Sequence, residues 1–95
     1  MLIGVLEIQL VLQGIRSLKE KRSIVKSVIG RLQTRYNLSI AEVDHQDSKQ
    51  CAVLGLAVVS NDSRFIDQQL DTLLNFIRAD GRFYLGRVER EVFQA

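Results

Sequence analysis

The order of hydrophobic periodicities along the chain is the feature that most constrains its fold. Residues 2–12 alternate between apolar and mixed positions, as expected for a strand with one buried face. A stripe with helical spacing follows, with Val28 at its edge, and it comprises Leu18, Val25, Ile29, Leu32 and Tyr36. Strands are then predicted over residues 38–43, 51–59 and 82–93. A second helix precedes the last of these, and its stripe is Ile66, Leu70, Leu73, Leu74 and Ile77.

The predicted order is therefore βαββαβ, and each helix joins two strands that have to run in parallel. Two such crossovers predict an α+β, ferredoxin-like sandwich. It has a four-stranded antiparallel sheet in the order 4-1-3-2, with both helices on one face. The first and third strands take the centre in that order, and they are also the most apolar. A chain of 95 residues fits one such domain, residues 1–95.

Composition excludes several classes of protein. Apolar residues make up 46% of the chain, enough for one core without covalent crosslinks. The single cysteine, Cys51, excludes an internal disulfide and a zinc site built from several cysteines. The chain has no run of 18 apolar residues, and its apolar start lacks the features of a signal peptide. We therefore expect no membrane span and a cytoplasmic location.

Positive charge is concentrated in one part of the chain. The net charge is only +2, yet residues 16–35 carry seven cations and one acid, a local balance of +6 that leaves −4 for the rest. Ser17 and Glu20 fit a capping box, so this stretch is expected to begin the first helix. Five cations near the start of that helix form the predicted nucleic-acid-binding site: Arg16, Lys19, Lys21, Arg22 and Lys26.

An anionic partner is the functional interpretation of this cluster, and RNA is the partner we favour. The N–H groups at a helix start attract phosphate, and a ridge of Lys19, Arg22 and Lys26 can follow a phosphate backbone. The chain has no P-loop sequence and few aromatic residues, so we expect contacts to RNA backbone and shape rather than base stacking. The alternative is a solvated helix flank, with the stems of Lys21 and Arg22 lying along the core edge.

The polar segment 44–50 is predicted to be a hairpin connection. Glu42, Asp44, His45 and Asp47 are near enough in sequence to suggest a metal site or an acid–base pair, with Glu42 and Asp44 on one face of a strand. One histidine without a second nitrogen or sulfur ligand nearby is a weak metal signal, so a solvated hairpin is the favoured interpretation. We predict no catalytic residue, no metal, no cofactor and no enzymatic activity.

The sheet face opposite the helices is the second candidate surface. Glu7, Gln9, Arg87 and Glu89 are expected to meet there across neighbouring strands, most simply as a network of ion pairs. Apolar side chains without a covering helix share that side: Ile3, Val5 and Val11. An exposed apolar patch suits a homodimer or a protein partner. A homo-oligomeric interaction module is therefore the alternative function.

Three segments resemble the YlxP-like family of small bacterial proteins. They are Ser-Leu-Lys-Glu-Lys-Arg at residues 17–22, Ser-Ile-Ala-Glu-Val-Asp at 39–44 and Val-Val-Ser-Asn-Asp at 58–62. The resemblance implies a ferredoxin-like sandwich. It implies no activity, because the family has no known function, and it provides no functional residues to carry over. Its members are often encoded among translation and ribosome-maturation factors, which makes ribosome association the more attractive expectation.

A second resemblance, to acylphosphatases, covers only Leu-Gln-Gly-Ile at residues 12–15. That family reads Val-Gln-Gly-Val-x-Phe-Arg, and its arginine holds the phosphate. Leu18 occupies the arginine position here, and Arg16 comes two residues early. Neither predicted inner strand carries the asparagine that this family uses in catalysis. A hydrolase of this type is the remote alternative.

Overall fold

The computed structural model describes all 95 residues of the chain as four strands and two helices. In chain order these are β1 (Leu2–Val11), α1 (Leu18–Arg35), β2 (Ser39–Asp44), β3 (Cys51–Ser60), α2 (Ser63–Arg78) and β4 (Tyr84–Gln94). The βαββαβ order is the one predicted from the sequence. Strand ends differ from the predicted ones by one or two residues.

The four strands form one sheet in the order β2-β3-β1-β4, with each neighbouring pair antiparallel. Read from the other edge, this is the predicted order 4-1-3-2, and it confirms the ferredoxin-like α+β arrangement. The two apolar strands β1 and β3 lie at the centre. Ten consecutive residue pairs join them, from Leu2 opposite Ser60 to Val11 opposite Cys51.

One hydrophobic core lies between the sheet and the two helices. Alternate residues of a strand face the same side, so the even-numbered residues of the central strands enter the core together. These are Leu6, Ile8, Leu10, Leu12, Ala52, Leu54, Leu56 and Val58. The helices add Val25, Val28, Leu32, Ile66, Leu70, Leu73 and Ile77. Gly4 permits the close approach of α2, because a Cβ at that position would lie 3.0 Å from Cγ1 of Ile66.

Helix α2 is fixed at its start and along its outer side. Asp62 is the N-cap, and its Oδ1 accepts hydrogen bonds from the backbone N–H groups of Arg64 and Phe65 at 2.9 and 3.1 Å. Arg90 on β4 donates to Oδ1 of Asp71 at 2.5 Å and to the backbone oxygen of Asp67 at 2.9 Å.

Neither helix of the protein combines the length and apolar character needed to cross a membrane.

Two strand irregularities change which side chains share a face. In β4, Gly86 and Arg87 together lie opposite Gln9, whose Oε1 accepts the backbone N–H of Arg87 at 3.1 Å. In β2, Glu42 lies opposite Leu54 while Asp44 lies opposite the next residue, Val53. The expectation that Glu42 and Asp44 share a face is therefore wrong. Glu42 follows the regular alternation of β2 and faces the helices with Ile40, whereas the bulge after Glu42 turns Asp44 toward the open side of the sheet.

Candidate nucleic-acid interface

The start of α1 is held by a network of side-chain and backbone hydrogen bonds. Ser17 is the N-cap, and its Oγ accepts the backbone N–H of Glu20 at 3.1 Å, as the capping-box pattern predicts. The Glu20 carboxylate turns back and accepts the backbone N–H of Arg16 at 3.1 Å. The only acid in this segment is therefore engaged with the backbone, and the same bond fixes the position of Arg16 relative to the helix.

Four of the five predicted cations are displayed to solvent. Arg16, Lys19, Arg22 and Lys26 are all exposed. None of them takes part in the six ion pairs of the molecule. With a rise of 1.5 Å per residue, Lys19 and Lys26 are about 10 Å apart along the helix axis. This row, which we call the basic ridge (Arg16, Lys19, Arg22 and Lys26), carries positive charge that no acid of the chain neutralises.

For Lys21, the fifth predicted cation, the prediction of a phosphate contact is wrong. Its side chain is completely buried, with Nζ 3.1 Å from Oε2 of Glu42 and donating to the backbone oxygen of His45 at 2.5 Å. A phosphate outside the protein does not reach this ammonium group. Lys21 instead attaches α1 to the end of β2, which is a structural role. A buried ammonium needs such partners because desolvation of an unpaired charge is costly.

The burial of Lys21 follows from its position on the helix. At 100° per residue, position 21 falls between Val28 and Leu32, in the middle of the stripe that faces the core. The apolar stripe predicted for the first helix omits Lys21, because charged residues are rarely buried without a partner. The missing signal was the partner, Glu42, which regular alternation along β2 places on the helix side of the sheet, 3.1 Å from Nζ of Lys21.

A second row of cations lies on the other flank of α1, outside the five residues predicted to bind nucleic acid. Arg31 and Arg35 place their guanidinium carbons 5.2 and 5.1 Å from the centre of the Phe76 ring. The outer surface of α1 between Lys26 and these two arginines forms a shallow, open depression of about 550 Å³, which we call the groove. Its floor is formed by the small residues Ser27, Gly30 and Thr34. No hydrophobic side chain lines it.

Asp80 is the one acid close to this groove, and it is already neutralised. Arg82 donates to Oδ1 of Asp80 from Nε at 2.9 Å and to Oδ2 from Nη2 at 2.6 Å, while Arg31 lies 3.7 Å away. The hydrogen bonds from Arg82 hold the pKa of Asp80 below its ordinary value of 3.8, against the opposing effect of burial. They also raise the pKa of Arg82. A third hydrogen bond, from Nη1 of Arg82 to Oγ of Ser27 at 3.2 Å, ties this pair to the groove floor.

The polar hairpin residues do not converge on one point. Glu42 faces Lys21 inside the fold, whereas Asp44 and His45 are exposed. His45 has a left-handed backbone with φ 59°, and its carbonyl oxygen is the acceptor for Lys21. No group of three or more His, Cys, Asp and Glu side chains has an arrangement that could hold a metal ion.

The fold and these surfaces define a small ferredoxin-like domain with a basic outer helix. The chain belongs to the family described as "Protein of unknown function (DUF503)", which matches residues 3–90. It is also similar to the uncharacterized protein YlxP of Bacillus subtilis (strain 168). The two are 36% identical over 76 residues, which cover 80% of this chain and 83% of that protein. The resemblance to the YlxP-like family is thereby confirmed.

Proposed function

We propose that this protein is a non-enzymatic, cytoplasmic RNA-binding module that contacts phosphates through the outer surface of α1. The observation that carries the proposal is the unneutralised basic ridge of Arg16, Lys19, Arg22 and Lys26. Cations of this kind release condensed counterions when they meet a phosphate backbone, which drives binding without base recognition. Lys21 is no longer part of the proposed contact.

The groove beside the ridge supports the same function. Lys26 on one side and Arg31 and Arg35 on the other provide cations on both walls, and the floor is polar. Arg35 has no carboxylate partner, and Arg31 shares Asp80 with Arg82. A phosphate strand lying along α1 would therefore meet positive charge on both sides. Aromatic side chains are absent from the groove lining, which favours contacts to backbone and shape over base stacking.

The opposite face of the sheet supports this choice of side, because it is acidic. Glu7 and Glu89 lie directly opposite each other on β1 and β4, and Glu91 lies opposite Val5 in the next row. Carboxylates in these positions repel a phosphate backbone. RNA would therefore approach the helices rather than the sheet. The gene context that the family resemblance implies makes ribosomal RNA the first target to test.

Charge reversal on the ridge tests the proposal. The variant Lys19→Glu, Arg22→Glu, Lys26→Glu should lose at least tenfold in affinity for purified ribosomal subunits and for a structured RNA hairpin, measured at low salt. The matched control is the triple variant Lys49→Glu, Arg64→Glu, Arg78→Glu, which changes the net charge by the same amount. These three cations are exposed, lie outside the ridge and take part in no ion pair. Equal losses in both variants, or unchanged affinity in the first, would contradict the proposal.

A further inference from the structure

The sheet face opposite the helices is uncovered, and its side chains form rows that cross the strands. One row is wholly apolar, since Ile3 on β1 lies between Val59 on β3 and Phe93 on β4. Val59 is 61% exposed and Phe93 is 39% exposed. A contiguous row of large apolar side chains in water is typical of a surface that a partner covers.

A shallow trough of about 690 Å³ continues from this row across the inner strands. Its floor is made by small residues, Ala41 on β2 with Gly55 and Ala57 on β3. Val43 stands at the β2 side, half exposed, and a Cβ at Gly55 would lie 3.0 Å from its Cγ1. From β2 to β4 the sheet is roughly 14 Å wide, close to the 10–12 Å diameter of a helix with its side chains.

The β4 side of the trough is negatively charged. Glu7, Glu89 and Glu91 line it, together with Asp44 at the β2 end. Two cations lie near these carboxylates, and both are already paired: Arg87 with Glu89, and Arg90, which borders the trough, with Asp67 and Asp71 of α2. Glu7, Glu91 and Asp44 take part in no ion pair, so the trough combines an apolar floor with three uncompensated carboxylates.

We propose that this face binds a basic amphipathic helix from another protein. The apolar side of such a helix would fill the trough over Gly55 and Ala57, and its lysines or arginines would meet the carboxylates of Glu7, Glu89 and Glu91. A second copy of this chain fits less well. A second copy presents the same acidic face, whose cations Arg87 and Arg90 are already paired, so it offers no free positive charge to these carboxylates.

A synthetic peptide pair tests this inference. One helical peptide of about 18 residues, some 27 Å long, carries leucine on one side and lysine on the other, and its twin has glutamate in place of lysine. Fluorescence anisotropy should show the lysine peptide binding with a dissociation constant below about 1 mM and the glutamate twin binding at least tenfold more weakly. Backbone amide shifts in NMR spectra should change on β1, β3 and β4.

Variants of the trough separate the apolar and charged contributions. Two variants are compared: the triple variant Glu7→Gln, Glu89→Gln, Glu91→Gln and the single variant Val43→Lys. Each should weaken binding of the lysine peptide about tenfold, and circular dichroism should show that both remain folded. Phe65→Lys is the matched control and should leave binding unchanged, because Phe65 is 55% exposed on α2 on the other side of the sheet. The ridge variant should also retain peptide binding, which keeps this inference separate from RNA binding.

Several results would overturn the inference. One is that the lysine peptide fails to bind at 1 mM, or that both peptides bind equally well. Others are that the amide shifts are confined to α1, or that the trough variants bind the lysine peptide as well as the wild type does. A stable dimer by light scattering, with its interface at the trough and closed to the peptide, would assign the face to a second copy instead.

Discussion

Replacement of Lys21 by alanine should destabilise the protein strongly, although lysine side chains usually lie on protein surfaces. The change leaves the Glu42 carboxylate without its counter-ion and the His45 carbonyl without its donor. Removal of one partner from a buried ion pair costs about 3–5 kcal/mol. We expect about 3 kcal/mol here, the lower end of that range, because the Glu42 side chain keeps 16% of its exposure.

A loss of this size is easily measured in a domain of 95 residues. Typical stabilities are about 5–15 kcal/mol, so roughly a third of the total would be lost. At about 4–8 °C per kcal/mol, the melting temperature should fall by roughly 12–24 °C. Urea unfolding followed by circular dichroism gives the free energy of unfolding directly, and an unchanged slope against urea would show that the unfolded state is not altered.

The double variant Lys21→Met, Glu42→Leu is the control. It removes both charges and keeps apolar volume in the core, so most of the stability should return. Its affinity for RNA should equal that of the wild type, because the exposed ridge is untouched. If the double variant is as unstable as Lys21→Ala, or if it is folded but has lost RNA affinity, then the structural role assigned to Lys21 is wrong.

Two further predictions concern the helix ends. Asp62→Ala should lower the free energy of unfolding by about 1 kcal/mol, as urea titration would show, because it removes the acceptor for the N–H groups of Arg64 and Phe65; no change would mean that the cap bonds are not formed in solution. Asp80→Asn should reduce stability at pH 7, since the depressed pKa of Asp80 means that its ionised form stabilises the fold. This contribution is present above the unfolded-state pKa, near 3.8, and is lost as pH falls through the lower folded-state value, so unfolding curves of the two proteins should converge in strong acid; a gap that stays constant with pH would contradict this account.

The sequence predicted the architecture well because the two periodicities are strong and locally encoded. Leu6, Ile8 and Leu10 alternate cleanly, and the α2 stripe from Ile66 to Ile77 has regular helical spacing. Pairing of the central strands then follows from their apolar character. These features depend on neighbours along the chain, which a single sequence displays directly.

The details of the candidate site depend on contacts between distant residues, and there the sequence was less informative. The burial of Lys21 requires Glu42, and the two residues meet only because α1 packs over β2, a contact that the hydrophobic pattern does not encode. Arg31 and Arg35 were counted as charge, but their place on the groove wall depends on Phe76 in α2. Long-range register, rather than local propensity, determines each of these.

The most direct test of the proposed function is the salt dependence of RNA binding by the wild-type protein and the ridge variant. Each phosphate contact contributes about −0.7 to −0.9 to the slope of log affinity against log salt, so the four ridge cations with Arg31 and Arg35 predict a slope of roughly −4 to −5. The Lys19, Arg22 and Lys26 reversal leaves three of these cations and should make the slope shallower, at roughly −2 to −3, whereas the Lys49, Arg64 and Arg78 control should keep the wild-type slope. A flat slope for the wild type, or the same slope in all three proteins, would contradict binding through the first helix.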